Sequence, residues 1–296
     1  MSAASRGYLT MAVRRARYLE MAIDMALSLR RHTRYPISLA ADEALATHAR
    51  ARYPQVFDSI VLVEERFLVG RALKYGTAAA TPYEETIFVD ADCLVLGSLD
   101  GLWPVLDTTD MAMVGQHLTV QENENHHGFS TRHLIRRFGL ERYLKTNSGL
   151  FCFRRTPTLE VMQDCLECYL HEARPRLRWS ILLGGWLGDE IAFGIVGGRR
   201  GIDTLPEPAL MFWPPEFADL ELDAPAKPLL HLIWPPPPAA LEAMLRGTRE
   251  RRRDAGIPGD AESHWIEEVA RLQRMVDRRR FLGRFQQWVS QSGHRG

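Results

Sequence analysis

The sequence predicts an α/β protein: an open, largely parallel sheet with helices on both faces. Over the first third of the chain, short β-branched and apolar runs alternate with stretches of helical periodicity. Such βαβαβ alternation makes parallel strands joined by right-handed crossovers. The second observation is the run Thr86, Ile87, Phe88, Val89, uncharged and suited to a strand covered on both faces, which ends abruptly on Asp90 and Asp92. In open α/β sheets, ligands sit beyond the carboxyl ends of such strands. Length agrees, since 296 residues bury a large core and suit one large domain with an appendage or two small ones.

In chain order, Gly7 to Val13 reads as the first strand, and the basic loop Arg14 to Arg17 leads into a helix whose Tyr18, Ala22, Met25, Ala26 and Leu29 share one face. Ile37 to Ala40 is a second strand, Asp42 caps or precedes a helix running to Arg52, and Ile60 to Val63 is a third strand. Gly70 to Ala80 is read as a helix carrying Lys74, closed by the turn Thr81-Pro82-Tyr83 before the strand that ends at Asp90. From Asp100 to Thr146 the pattern is irregular, with a strand at Met111 to Val114 and a polar loop at Gln121 to Gly128. Side chains of adjacent residues diverge on most backbones, so His126 and His127 are read as part of a surface or acceptor-facing loop rather than as metal ligands.

Asn147, Ser148 and Gly149 form a polar turn that opens the apolar strand ending at Phe153, and a helix follows from Thr156 to about Ala173, with Pro157 in its first turn. Cys165 and Cys168 share a face of that helix but have no second pair to complete a zinc site, so they are expected to pack in the core. A glycine-rich turn at Gly184 to Gly188 then delivers Asp189 and Glu190 to the start of a helix. Residues 205 to 238 are rich in proline and aromatics and read as ordered coil on the core, with a short strand at Leu229 to Ile233 holding His231.

Composition excludes several classes. Lys plus Arg and Asp plus Glu both number 37, so there is no net field to gather nucleic acid. No apolar run approaches the roughly 20 residues of a membrane span, and the first ten residues do not read as a secretory leader. Four cysteines are too few and too scattered for a disulfide framework. A cytoplasmic protein with reduced thiols is expected.

Two carboxylates one residue apart repel unless a cation lies between them, and hard oxygen ligands suit Mg²⁺ or Mn²⁺ holding phosphates. With Lys74 upstream, this Asp-x-Asp resembles that of the GT-A glycosyltransferases, within them the glycogenin-like and bacterial lipopolysaccharide galactosyltransferase group. The resemblance covers about Gly7 to Trp234 and rests on an ordered set: Lys74, Asp90-Ala91-Asp92, Asn147-Ser148-Gly149, Asp189-Glu190 and His231. It implies a GT-A, Rossmann-like nucleotide-diphospho-sugar transferase fold, a mixed sheet flanked by helices. The implied activity is metal-dependent transfer from a nucleoside diphosphate sugar, a UDP-sugar foremost, to a glycan, lipid-linked or small-molecule hydroxyl, with retention. The implied donor site comprises Thr10, Tyr18, Lys74, Asp90, Ala91, Asn147, Ser148 and Gly149. Asp90, Asp92 and His231 are the implied ligands of Mn²⁺ or Mg²⁺, and Asp189 the acid at the transferred sugar, with Glu190 as its alternative. One departure stands out: the family follows its histidine with a glycine and Lys-Pro-Trp, whereas His231 runs into Trp234-Pro235-Pro236 and Lys227-Pro228 precedes it.

Beyond Pro238 the chain turns helical and basic, with seven arginines from Arg271 onward against one acid, Asp277. Trp265, Val269, Leu272, Val276, Leu282, Phe285 and Val289 recur at roughly helical intervals. Residues 1–238 are therefore expected to form the catalytic domain and 239–296 a basic helical extension packed on it, with docking at the inner membrane face as the alternative. A sugar-1-phosphate nucleotidyltransferase is the competing enzyme class, although Val13 to Arg17 lacks the glycines its nucleotide loop needs. A silent nucleotide-sugar-binding protein of the same fold is the competing non-enzyme.

Overall fold

The structure, a computed structural model, describes residues 5–182, 185–257 and 262–292, without the side chains of 207–208, 218–219 and 278–292. The first half contains β1 (Arg6–Ala12), α1 (Ala16–Arg30), β2 (Ile37–Ala41), α2 (Glu43–Arg52), β3 (Ser59–Leu62), α3 (Thr77–Ala80), β4 (Glu85–Val89), β5 (Cys93–Val95), β6 (Met111–Thr119), β7 (Asn125–His126), β8 (Phe129–Ser130) and α4 (Thr131–Phe138). The second half contains β9 (Arg142–Arg154), α5 (Arg155–Glu167), α6 (Arg174–Leu182), α7 (Asp189–Arg200), β10 (Asp203–Pro206), α8 (Glu207–Leu210), β11 (Leu229–His231), α9 (Pro238–Asp254) and α10 (Ser263–Ser292).

Seven strands form one sheet in the order β10-β6-β9-β4-β1-β2-β3. The expected βαβαβ start is present, with β1 parallel to β2 and β4, and β2 parallel to β3. Asp42 caps α2 as expected, its Oδ1 accepting from Leu45 N–H at 2.9 Å. β9 runs antiparallel between β4 and β6 and makes the sheet mixed. One apolar cluster lies on the face of α1, α2 and the C-terminal helices, and a second lies under α3, α4, α5 and α7. All four cysteines are buried thiols.

Three local expectations change. The turn at Asn147-Ser148-Gly149 is a bulge inside β9: pairing with β6 passes from Met113↔Phe151 straight to Val114↔Asn147, so Ser148, Gly149 and Leu150 are skipped. Lys74 sits in a 3₁₀ turn, Ala72–Gly76, ahead of the four-residue α3 rather than in one long helix. The helix after β9 continues beyond Ala173, because a π-helical turn at Cys168–Ala173 joins α5 to α6.

α9 and α10 lie against α1. Ala240, Met244, Trp265 and Leu272 share the core of α1. Asp24 of α1 is almost fully buried and accepts from Arg252 Nε (2.5 Å), His264 Nε2 (2.6 Å) and Trp265 Nε1 (2.7 Å). The expected apolar positions Leu282, Phe285 and Val289 lie outside the described side chains. Among the described residues no helix is long and apolar enough to cross a membrane.

Candidate active site

Sheet edges and one helix end bring the acids together. Val89 closes β4 opposite Leu150, and Asp90 N–H donates to Gly149 O at 2.9 Å. The chain turns through Asp92 into β5, whose pairing with β11 sets His231 opposite Cys93, while Leu232 N–H donates to Asp92 O at 2.9 Å. α7 approaches β9 closely enough that a Cβ on Gly198 would fall 2.1 Å from Arg142 O, and one on Gly194 would fall 2.3 Å from the Tyr143 ring. Glycine at these positions lets the start of α7 carry Asp189 and Glu190 to the β9 bulge.

Lys74 lies at the centre. Its Nζ is 2.5 Å from Asp90 Oδ2 and 3.5 Å from Asp189 Oδ2, and it donates to Ser148 Oγ (2.8 Å) and Ser148 O (3.2 Å). Burial alone would depress the Lys74 pKa, but Asp90, Asp189 and Asp92 outweigh it and hold the ammonium charged. Asp90 is pushed up by burial and by Asp92, with Lys74 opposing. Burial also acts on Asp92, yet His231 and Lys74 more than offset it and keep that carboxylate below its ordinary range. His231 is raised in turn: Asp92 overcomes the desolvation that would discharge it.

The geometry around His231 tests whether a cation fits. Gly149 N–H donates to Asn147 Oδ1 at 2.8 Å, which marks that atom as the amide oxygen, so His231 Nδ1, 2.9 Å from the same oxygen, must carry a proton and donate to it. Nε2 is left facing Asp92 Oδ1 at 3.2 Å. That carboxylate oxygen is buried and makes no hydrogen bond among the described residues. A Cβ on Gly149 would lie 2.5 Å from His231 Nδ1, so the bulge has room for the imidazole only because residue 149 is glycine. An imidazole oriented by the Asn147 side chain, beside a buried carboxylate oxygen that makes no hydrogen bond among the described residues, is a donor set that fits a divalent cation. Asp92, Cys93 and His231 converge closely enough to share one ion, but burial pushes the Cys93 thiol well up, so it is not a thiolate. Asp90 points instead to Lys74.

Asp189 and Glu190 occupy different environments. Glu190 Oε1 accepts from Ser148 N–H (2.9 Å), and its Oε2 meets His127 Nε2 and lies 3.4 Å from His126 Nε2. Despite burial, these donors hold Glu190 well below the usual carboxylate range. The hydrogen bond to Asp189 comes from Ser148 Oγ at Oδ2 (2.9 Å), and among the described residues Oδ1 makes none.

The two histidines do not diverge. His127 takes a left-handed φ of 54°, ahead of Gly128 at φ 85°, which brings both rings to one side with centroids 4.6 Å apart. The ligand atoms of His126, His127 and Glu190 also converge. His126, however, has both nitrogens engaged, Nδ1 with Tyr143 OH (2.7 Å) and Nε2 with Thr146 O (3.2 Å), so the trio holds a carboxylate rather than an ion. His127 meets Trp186 edge-on at 4.9 Å, and Arg71 lies over that indole at 4.7 Å. The one sequence signal for this arrangement was the glycine after His127, which permits consecutive left-handed residues.

Of the other expected donor residues, Ala91 is buried and gives its N–H to Asp90 Oδ1 at 3.0 Å. Thr10 is fully buried, and its hydroxyl has no partner among the described residues. Tyr18 is half-buried at the start of α1 under the Arg17 guanidinium, 5.1 Å from the ring centroid.

No protein-family model matches the sequence, and no curated protein does. Among solved structures, the galactosyltransferase LgtC, determined with donor and acceptor sugar analogues, is similar over 88% of this chain and 99% of its own, at 14% identity and a TM-score of 0.53. The bifunctional glycosyltransferase WbbM is similar over 78% of this chain at 14% identity and a TM-score of 0.49, and this chain spans 46% of its length. Mouse xyloside xylosyltransferase 1 is similar over 76% of this chain and 97% of its own, at 13% identity and a TM-score of 0.45. The fold is that of the GT-A glycosyltransferases.

Proposed function

We propose that this protein is a metal-dependent glycosyltransferase moving a sugar, with retention, from a nucleoside diphosphate sugar, foremost a UDP-sugar, to a hydroxyl of a glycan, lipid-linked or small-molecule acceptor. The observation that carries the reading is the orphaned Asp92 Oδ1 facing an imidazole nitrogen whose ring is fixed by Asn147. Asp92 and His231 would hold Mn²⁺ or Mg²⁺, with Asp90 engaged by Lys74 rather than facing the ion, and such a cation would neutralise charge on the departing diphosphate. Lys74, kept charged among three carboxylates, adds a fixed positive charge there. Asp189, with Oδ1 uncommitted, is the acid placed for the transferred sugar. Glu190 holds the backbone of Ser148 and so keeps the bulge in shape. Trp186, 41% exposed beside His127, offers an aromatic face to the acceptor.

Thermal-shift measurements with UDP, GDP and ADP, each with and without Mn²⁺, test this reading. Stabilisation by one nucleoside diphosphate that requires the metal is expected. Equal stabilisation without metal, or none at all, refutes it.

A further inference from the structure

One face of the molecule outside the candidate site combines open apolar side chains with unanswered positive charge. α6 is apolar on both sides. Leu177 is buried and Ile181 packs against the core, while Arg174, Arg178 and Leu182 recur every fourth residue on the outward side, with Trp179 beside them. Trp179 is 66% exposed and Leu182 75%, and the Arg178 guanidinium lies over the Trp179 ring at 5.2 Å. α4 lies alongside: Arg137 Nε donates to Arg176 O at 3.3 Å, and Arg176 covers the Phe138 ring at 5.4 Å. It adds exposed Arg136 and Arg137 to the same face. Residues 131–138 and 174–188 contain no acid. The nearest in sequence, Glu172, is taken by Arg199 at 2.8 Å, with Arg176 at 3.8 Å. Among the described residues no carboxylate lies in ion-pair range of Arg136, Arg137, Arg174 or Arg178. The face adjoins the candidate site, because Gly185 N–H donates back to Ser180 O at 2.8 Å and Trp186 N–H donates to His127 O at 2.8 Å.

We propose that the α4–α6 face docks on an anionic lipid surface, with Trp179 and Leu182 entering the headgroup region and the arginines meeting lipid phosphates. The acceptor side of the candidate site, marked by Trp186, would then open toward the bilayer. That orientation rests on the transferase reading above, whereas the docking itself does not. Large apolar side chains this open, grouped and rimmed by charge, mark an interaction surface. Tryptophan suits a water–lipid boundary because its ring is amphipathic, and arginine can lay its stem on apolar surface while the guanidinium reaches a phosphate. Charge selects the occupant: a second copy of the same face would set arginine against arginine, while an anionic leaflet attracts every one of them.

The test is co-sedimentation of the full chain, without donor or metal, with vesicles of equimolar phosphatidylglycerol and phosphatidylcholine and with vesicles of phosphatidylcholine alone. Binding to the anionic vesicles only, lost at about 0.5 M salt, is expected. Arg174→Gln with Arg178→Gln is expected to weaken it about 25-fold, or about fivefold for each basic residue at the surface. Trp179→Ser with Leu182→Ser is expected to weaken it as well, with an unchanged melting temperature because both side chains already face water. Equal vesicle binding by wild type and both double variants overturns the inference and moves the contact to another surface. Absence of vesicle binding also overturns it, and a dimer in sedimentation velocity that Trp179→Ser with Leu182→Ser dissolves would assign the face to a second copy instead. Each of these failures leaves the transferase reading standing, since that reading is decided by metal-dependent binding of a nucleoside diphosphate.

Discussion

Asp92→Asn removes one charge and almost no volume from the candidate metal site, so its consequences are separable from folding. In the unliganded protein the lost ion pair with His231 is offset by relief of repulsion with Asp90 and of carboxylate burial. The melting temperature without ligand is expected to stay within about 2 °C of wild type. The pH dependence should change as well. Asp92 is depressed against burial by His231, so its stabilisation is present above the ordinary carboxylate pKa and is lost as pH falls through the lower folded value. His231 is raised against burial by Asp92, so its stabilisation is complete below about pH 6.5 and fades as pH rises through the higher folded value. The pair therefore stabilises most between roughly pH 4 and 6.5, and that contribution should vanish in the variant. With a nucleoside diphosphate at about 100 times its dissociation constant plus Mn²⁺, wild type gains roughly 2.7 kcal/mol, or about 5 °C for a chain of this size. Loss of a hard ligand from a site with so few protein donors should reduce that shift to under about 1 °C. Differential scanning fluorimetry at several pH values reads both effects. A variant that keeps the metal-dependent shift refutes Asp92 as a ligand.

Asp189→Asn is expected to lower kcat about 100-fold with little change in donor Kd, because an acid at the sugar acts in the transition state; a pure KM effect in steady-state kinetics would make it a helix-start residue instead. Trp186→Ala should raise the acceptor KM up to about tenfold while leaving donor titration unchanged, and an unchanged acceptor KM would remove the indole from the acceptor face. Arg252→Ala strips the guanidinium from buried Asp24; with His264 and Trp265 still donating, the cost should be near 3 kcal/mol by urea denaturation, and a loss under 1 kcal/mol would show that the network is not needed to hold α9 on α1.

What the sequence made legible was whatever is written locally. Strand alternation gave the parallel half of the sheet, and an uncharged run stopping at Asp90 marked the ligand edge. The glycines around Asp189 marked a tight helix start. Orientation of β9 was not legible, because an apolar strand pairs equally well in either direction. The bulge at Ser148 reads in sequence as a turn for a similar reason: a polar Asn-Ser-Gly looks the same whether the chain reverses or merely skips a register. His231 could be picked out only through the ordered set, since a lone histidine in an apolar strand is usually structural, and the tautomer that frees Nε2 depends on Asn147, 84 residues away.

The C-terminal helices show the limit most plainly. Read alone, their arginines look like the solvated face of an amphipathic helix. Arg252 is 2% exposed, however, and its charge is met by Asp24 and Glu20, more than 220 residues earlier in the chain. On α1, in turn, Asp24 reads as an ordinary polar position. Neither half of a buried ion pair carries a signal in its own segment, because each is tolerable in water and becomes committed only when the other arrives. The same logic applies to Glu268, whose burial on α10 is answered by Arg17 of α1, about 250 residues earlier, as well as by Arg271 on its own helix. A charge pattern on a helix therefore says how much charge must be answered, and only the packing partner decides whether water, another side chain or a ligand answers it.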